Sequence, residues 1–590
     1  MTNTLPDSLF QEFPAVNRDE WKKRATAELK ETPYEKIVWK TPDGFELEPW
    51  YSRESEKEFL RIPPGKSSNS WTNCRLITVT DPAEANGVAM KSFACDVSAI
   101  EFRITDPHLC SLENLTALLS GIELSALPVY FSGNLPPVAD LLETLAALPG
   151  FTKNEGGLLA PLPLSSEMDD VAFGKHLDTL PLFRIFQADT IPFHERGATP
   201  AQEIALALAG ASELFNRFTD AGLTAGRIAA AMEIVLPVGT SHFAELAKPR
   251  AIRYLLGHLL KAYGADPSAL PRLFAKTSRR NISLLDPYTN VLRLTTEAAS
   301  AILGGYETLQ TGAFDNGLSV ENDLAERITG NIHLILRSEA TLDRVIDPAA
   351  GSNYIESLTG RLAETAWDIF KRIEAAGGLN AAMESGMVGT MLDSAAALEK
   401  KELGSRKKTL IGVNRYPWPL TPEQNDRIEA LESAIEAGLE TSATASYELM
   451  RLKTIASAKS GRAPSVFIWT IGDPGISFRQ AAFCEDFFKC GGFTISGTAS
   501  LPVEEASYAT LRQQAPDIVV LCIADKDPVP QAEPICNALR RLGPGIITVM
   551  AGRPPQGHEK LLEAGLDSFI YTGVNVLEML ETYQRKTGVK

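Results

Sequence analysis

The stretch Phe467-Ile468-Trp469-Thr470-Ile471-Gly472-Asp473-Pro474-Gly475-Ile476-Ser477-Phe478 runs an apolar segment into an Asp-Pro-Gly turn and then into a helix-like segment. A turn of that kind, at the carboxyl end of a strand, is where open α/β sheets hold ligands. Gly475, in the middle of that turn, brings no ligating atom. A second candidate is His194, in Phe193-His194-Glu195-Arg196-Gly197-Ala198. An imidazole on a loop after a strand can donate a hydrogen bond or exchange a proton near neutral pH, although such a residue serves equally as a structural hydrogen-bonding group. Asp525 and Asp527 flank Lys526 and read as a solvated turn, not an acid-base pair. His558 reads as a solvated side chain in another loop. His242 and His258 share a helix with Arg250 and Arg253, where a phosphate-binding patch competes with ordinary solvated or interdomain charge pairs.

Pro63-Pro64-Gly65-Lys66-Ser67 has a Gly-Lys pair without the preceding glycine and strand of a phosphate loop, and reads as a connector. His-Glu-x-x-His, Gly-x-Ser-x-Gly and Gly-x-Gly-x-x-Gly are all missing, which removes the sequence signatures of metalloproteases, α/β-hydrolases and dinucleotide binders. The seven cysteines fall without a Cys-x-x-Cys pair, as scattered buried thiols of a reducing compartment would. Net charge of −17 argues against nucleic acid, whose phosphates need a surplus of Lys and Arg. The first twenty residues lack a leader-like apolar core and no run reaches membrane-spanning length, so the expected location is the cytoplasm.

Five hundred and ninety residues exceed one core, which predicts two large domains. Residues 1–65 form a polar, turn-rich N-terminal arm carrying Trp21, Trp39, Trp50 and Tyr51, either laid across another surface or packed on its own barrel. Within 66–400, apolar runs at 74–80, 97–104, 127–131, 155–160, 182–188, 231–236, 272–276 and 307–311 alternate with helical patterns. Eight such units predict a TIM (β/α)8 barrel with its chemistry on the loops after the strands. Ile204, Leu208, Ala211, Phe215 and Phe218 fall on one helical face. Ile355, Leu358, Leu362, Ile369 and Ile373 form a packing stripe on another helix. A helical linker, 401–463, then leads to 464–590, where strands at 466–471, 492–496, 517–523, 545–550 and 567–571 predict a flavodoxin-like doubly wound domain.

Several stretches in that order resemble the adenosylcobalamin-dependent acyl-CoA mutases, methylmalonyl-CoA mutase above all. They are Ala275-Lys276-Thr277-Ser278, Asp286-Pro287-Tyr288-Thr289-Asn290-Val291-Leu292-Arg293-Leu294-Thr295, Gly304-Gly305, Arg327 to Leu336, Asp347-Pro348-Ala349-Ala350-Gly351-Ser352-Asn353-Tyr354-Ile355-Glu356, and Ala366-Trp367-Asp368-Ile369-Phe370 with Gly377-Gly378. The family's catalytic chains carry Asp-x-His-x-x-Gly in the first turn of the last domain, its histidine a cobalt ligand and its glycine a passage for the cobalamin tail. The matching positions here are Asp473, Gly475 and Phe478, so the resemblance implies a degenerate cobalamin-type domain with neither cofactor nor metal ligand, and Phe478 in the tail's path. The family's Ser-x-Leu is replaced around Cys522-Ile523-Ala524, and its later Gly-Gly by Ala551-Gly552.

In the barrel the family's Arg-Gln-Tyr-Ala-Gly segment matches Trp71-Thr72-Asn73-Cys74-Arg75-Leu76, without the tyrosine. Its Tyr-His-Met-Gln-Glu-Ala-Gly-Ala segment matches the shorter stretch around His194, which leaves His194 as the one catalytic candidate. The resemblance thus implies the family's small-subunit form, a scaffold paired with a homologous catalytic large subunit. That partner would bind adenosylcobalamin and acyl-CoA and interconvert succinyl-CoA and (R)-methylmalonyl-CoA. The alternatives are a competent mutase that binds cobalamin without a histidine and uses His194, and a non-enzymatic partner of cobalamin enzymes.

Overall fold

A computed structural model describes residues 16–52, 60, 62, 66–93, 95–159, 170–315, 323–419, 442–461, 463–543 and 545–589. Eight parallel strands form the larger unit: β1 (Thr72–Val79), β2 (Ala99–Ile104), β3 (Val129–Gly133), β4 (Gly157–Leu158), β5 (Phe186–Asp189), β6 (Met232–Val238), β7 (Arg272–Thr277) and β8 (Thr308–Gln310). Their order is β4-β3-β2-β1-β8-β7-β6-β5. A parallel bridge from Gly157 to Arg184 joins β4 to the segment entering β5 and closes the ring. Each strand coincides with one of the eight apolar runs, so the TIM-barrel expectation holds. Cys74, Ala99, Tyr130, Leu159, Val235 and Phe274 pack as one cluster, with Tyr130 edge-on to Phe274 at 5.2 Å.

The helices that matter for the site are α1 (Arg18–Leu29), α2 (Pro200–Asp220), α3 (His242–Ala262), α4 (Pro287–Gly304), α5 (Asn353–Ala375), α6 (Met387–Gly404), α7 (Ala445–Lys459) and α8 (Pro474–Lys489). Local chemistry fixes their starts. Proline occupies the first helical position of α2 and α4, where its missing N–H costs nothing. Asp286 caps α4 by accepting from Thr289 N–H at 3.4 Å and from the Thr289 hydroxyl at 2.6 Å. The expected stripes of α2 and α5 are all buried. They face each other, α5 lying across α2 and α3.

The smaller unit is a five-stranded parallel sheet of β9 (Ser465–Gly472), β10 (Thr494–Ser500), β11 (Ile518–Ala524), β12 (Ile547–Ala551) and β13 (Ser568–Ile570). Its order, β10-β9-β11-β12-β13, is the 2-1-3-4-5 winding of flavodoxin-like domains, as expected. Separate apolar cores cover its two faces, one around Phe488 and Val520, the other around Trp469 and Leu521.

Described linker residues are clamped to the barrel. Glu448 on α7 accepts from the Ser283 hydroxyl at 2.8 Å and from the N–H groups of Leu284 at 2.8 Å and Leu285 at 3.3 Å. Gly412, at φ +82°, lies so close to Asp286 that a Cβ there would stand 2.1 Å from Oδ2. Residues 420–441 and 462 of the linker, residues 63–65 of the connector, and residues 1–15 and 53–59 of the arm lie outside the described residues.

Of the two expected dispositions, the arm's hairpin, which pairs Trp39–Lys40 with Glu46–Leu47, takes the second, packing on the chain's own barrel. The α1 helix buries none of its residues and is held within the arm by Trp21 stacked on Trp50 at 5.3 Å and Arg18 paired with Glu48 at 3.3 Å.

Candidate functional site

At the barrel's carboxyl end a polar layer crosses the axis. Glu101 of β2 accepts from Lys276 of β7 at 2.8 Å, Gln310 of β8 at 2.6 Å and Ser132 of β3 at 2.6 Å. Glu101 is only 1% exposed, and the three donors, Lys276 foremost, hold its carboxyl below the ordinary range against the opposing effect of burial. One carboxylate therefore gathers four strands over the packed Tyr130 and Phe274 rings, and side chains fill the axis. Sequence reasoning missed this layer. Its signal was a charge that interrupts an apolar stretch in each of two strands, Glu101 in Ala-Ile-Glu-Phe and Lys276 in Phe-Ala-Lys-Thr, of opposite sign.

His194 lies just beyond β5, on the loop side expected of a barrel site, and is buried. Its Nδ1 is 2.7 Å from Glu203 Oε1 and its Nε2 2.7 Å from Ser278 Oγ. An ionised carboxylate can only accept, so Nδ1 carries a proton, and Nε2 faces the Ser278 hydroxyl. Glu203 is held ionised by Lys248, whose Nζ sits 2.5 Å from Oε2, and by His194; these outweigh the burial that would raise it. Lys248 also donates to Pro237 O at 2.7 Å and pairs with Glu245 at 2.6 Å. The serine–histidine–carboxylate row has the connectivity of a nucleophilic relay, but Ser278 is 2% exposed and its oxygen accepts from Arg280 N–H at 3.1 Å. Both ring nitrogens of His194 are committed within the protein.

The matched positions of the last domain stand on an open turn. Asp473 caps α8, its carboxylate accepting from Ile476 N–H at 3.1 Å. Asp473, Pro474, Gly475 and Ile476 are all exposed. A Cβ on Gly475 would meet one atom within 4 Å, Asp473 Oδ1 at 3.2 Å. Phe478 is 60% exposed, so its ring lies on the outer side of α8 and not under it. The space beneath α8 is taken by Ser477, Ala481 and Cys484, all buried, with Cys484 Sγ 3.7 Å from Cys522 Sγ. This donor set does not fit a cobalt ion: Gly475 supplies no atom and Asp473 is occupied as a cap. Among the described residues no group of three His, Cys, Asp or Glu is placed to hold a metal.

The other candidates disperse. Asp525 Oδ1 accepts from Asp527 N–H at 3.1 Å in an exposed turn. His558 begins a short helix, its Nδ1 3.1 Å from Pro555 O, and is half-buried. The α3 arginines are not solvated: Arg250 pairs with Glu356 at 2.7 Å and with Asp347, and Arg253 pairs with Glu307 at 2.9 Å and donates to Gly305 O at 2.6 Å. Both are buried because α5 and the loop before β8 close over this part of α3, so neither is free for a phosphate. His242 lies 2.7 Å from Ser300 Oγ, and His258 is exposed beside Tyr254.

Trp71, in the segment that lacks the family tyrosine, donates its Nε1–H to His333 Nδ1 at 3.0 Å, and His333 Nε2–H lies 3.0 Å from Thr311 Oγ1. Burial, with Arg337 nearby, pushes His333 down to about 3. The free thiols are almost all buried, Cys95 being exposed.

A barrel closed by eight parallel strands is thus joined through a clamped linker to a 2-1-3-4-5 domain. The methylmalonyl-CoA mutase family model matches residues 158–453, and the chain belongs to that family of isomerases. It is similar to the methylmalonyl-CoA mutase small subunit of Porphyromonas gingivalis, with 31% identity over 99% of each chain. The small subunit of Streptomyces virginiae is 28% identical, again over 99% of both. The large subunit of Porphyromonas gingivalis is 29% identical over 60% of this chain and 51% of its own. No helix among the described residues is long and apolar enough to cross a membrane.

Proposed function

We propose that this chain is the non-catalytic small subunit of an adenosylcobalamin-dependent methylmalonyl-CoA mutase, working in the cytoplasm beside a homologous catalytic large subunit. The observation that carries this reading is Gly475, which leaves the cobalt-ligand position of the last domain without a donor atom, on an exposed turn whose aspartate is spent as a helix cap. The filled barrel axis supports it: a substrate threaded along the strands would have to displace Glu101 and its three partners. Partner, cofactor and acyl-CoA chemistry are then the other chain's, and this one contributes a barrel, a degenerate cobalamin-type domain and an exposed α1 arm. A short helix that buries nothing is marginal in water, and a partner surface would order it. The division into arm (1–65), barrel (66–400), linker (401–463) and last domain (464–590) belongs to the same proposal.

The rival reading, a competent mutase acting through His194, needs a ring nitrogen free for substrate. Mixing the purified chain with adenosylcobalamin separates the two. The proposed role gives no change in the corrin spectrum and no turnover of methylmalonyl-CoA, with activity on adding a homologous large subunit that co-purifies with it. A corrin shift accompanied by turnover from this chain alone overturns the proposal.

A further inference from the structure

Beside His194, between the arm hairpin, the start of α2, the start of α3, α5 and α6, lies a cavity of about 120 Å³. Trp39, Pro42, Asp43 and Phe45 of the hairpin form one wall of it. The hairpin tip is a tight turn: Gly44 N–H donates to Thr41 O at 3.1 Å, with Gly44 at φ +88°. That turn aims Asp43 at the amino end of α2, where Oδ1 accepts from Ala201 N–H at 3.0 Å. Ala201 N–H is one of the donors that a helix start leaves without an internal partner, so Asp43 caps α2 from a segment more than 150 residues away in sequence.

We propose that the hairpin is a detachable strap that closes this cavity, and that its hold is set by the protonation of Asp43. The groups around it favour that control. Glu203 presses on Asp43 with like charge while Lys248 opposes it, and His194 and Glu245 line the inner wall. On the far wall Arg280 and Lys408 are paired with Glu399, and Glu402 with Lys407. Burial foremost, with Glu203 in the same sense and against the Thr199 hydroxyl, Ala201 N–H and Lys248, pushes Asp43 from 3.8 to about 6. A docked carboxyl that holds its proton more tightly than a free one docks best when protonated. The strap is therefore tightest in acid and loosens as pH rises through about 6.

Hydrogen exchange of the full chain tests this, read at the Ala201 amide and over the hairpin and corrected for the intrinsic pH dependence of exchange. Linkage between 3.8 and about 6 predicts about tenfold more protection at pH 5 than at pH 7.5. D43N keeps an oxygen for Ala201 and removes the titration, so its protection should be the same at both pH values. Peptides over β11 serve as the control for global opening. Equal protection at the two pH values in the natural chain, or an undiminished pH response in D43N, overturns the proposal.

Discussion

Glu101 and Lys276 meet 2.8 Å apart across the mouth of the barrel, from strands that are not neighbours in the sheet. Their pairing decides what the barrel interior can hold. A buried carboxylate stripped of its cation keeps its desolvation cost and loses its compensation. Lys276→Ala should therefore destabilise the chain by about 3 to 5 kcal/mol, and the double change of Glu101→Gln with Lys276→Met by far less. Urea unfolding of the two variants checks this. Equal losses would mean that the layer holds the strands by shape alone.

His333 gives a pH dependence whose sign follows from its environment. Its native pKa is depressed to about 3, so between the ordinary 6.5 and that value the unfolded chain binds a proton that the native chain refuses. Stability is then highest above pH 6.5 and falls as pH drops through this window, by about 5 kcal/mol. His333→Gln, which still offers an amide to Trp71 and Thr311, should flatten that slope in unfolding curves taken from pH 7 to pH 4. A slope as steep as the natural chain's would place the acid sensitivity elsewhere.

Glu448 ties linker to barrel through three donors on Ser283, Leu284 and Leu285. Removing it leaves two buried backbone N–H groups without an acceptor, at about 1 to 3 kcal/mol each. Glu448→Ala should lower the midpoint of the barrel's unfolding and separate it from that of the last domain, as two calorimetric peaks. A single peak at the natural temperature would show that the clamp is redundant.

The elements were legible because their patterns are local. Most barrel strands are built on an apolar run bounded by polar or turn residues, and Asp286-Pro287 announces its helix by capping chemistry readable from two letters. For the candidate site, sequence alone spoke only at single positions such as Gly475, where the residue type itself bears on the chemistry. The His194–Glu203–Lys248 chain and the Glu101 layer join residues that are far apart in sequence, and no spacing rule connects Lys276 to Glu101 before the barrel closes. Arg250 and Arg253 misled for the same reason: the acids that bury them, Glu356 and Glu307, come from later elements.

Gly475→His tests whether the last domain lacks a ligand or lacks a pocket. The position can take a side chain, since an added Cβ meets only Asp473 Oδ1 within 4 Å, so the variant should fold normally. The tail of a corrin also needs a channel into the domain, and beneath α8 the buried Ser477, Ala481 and Cys484 lie against a core that contains Cys522, Ala551 and Ile570. Phe478, exposed on the outer side, plays no part in that packing. The imidazole alone should therefore leave the spectrum of added adenosylcobalamin unchanged. Adding Phe478→Gly should not rescue it, whereas opening the stripe with Cys484→Gly and Cys522→Ser in the histidine background should allow the added cobalamin to pass from its base-on to a base-off, histidine-ligated form. Tight binding by the single Gly475→His variant would show that the channel persists under α8 and that the missing imidazole is the whole defect.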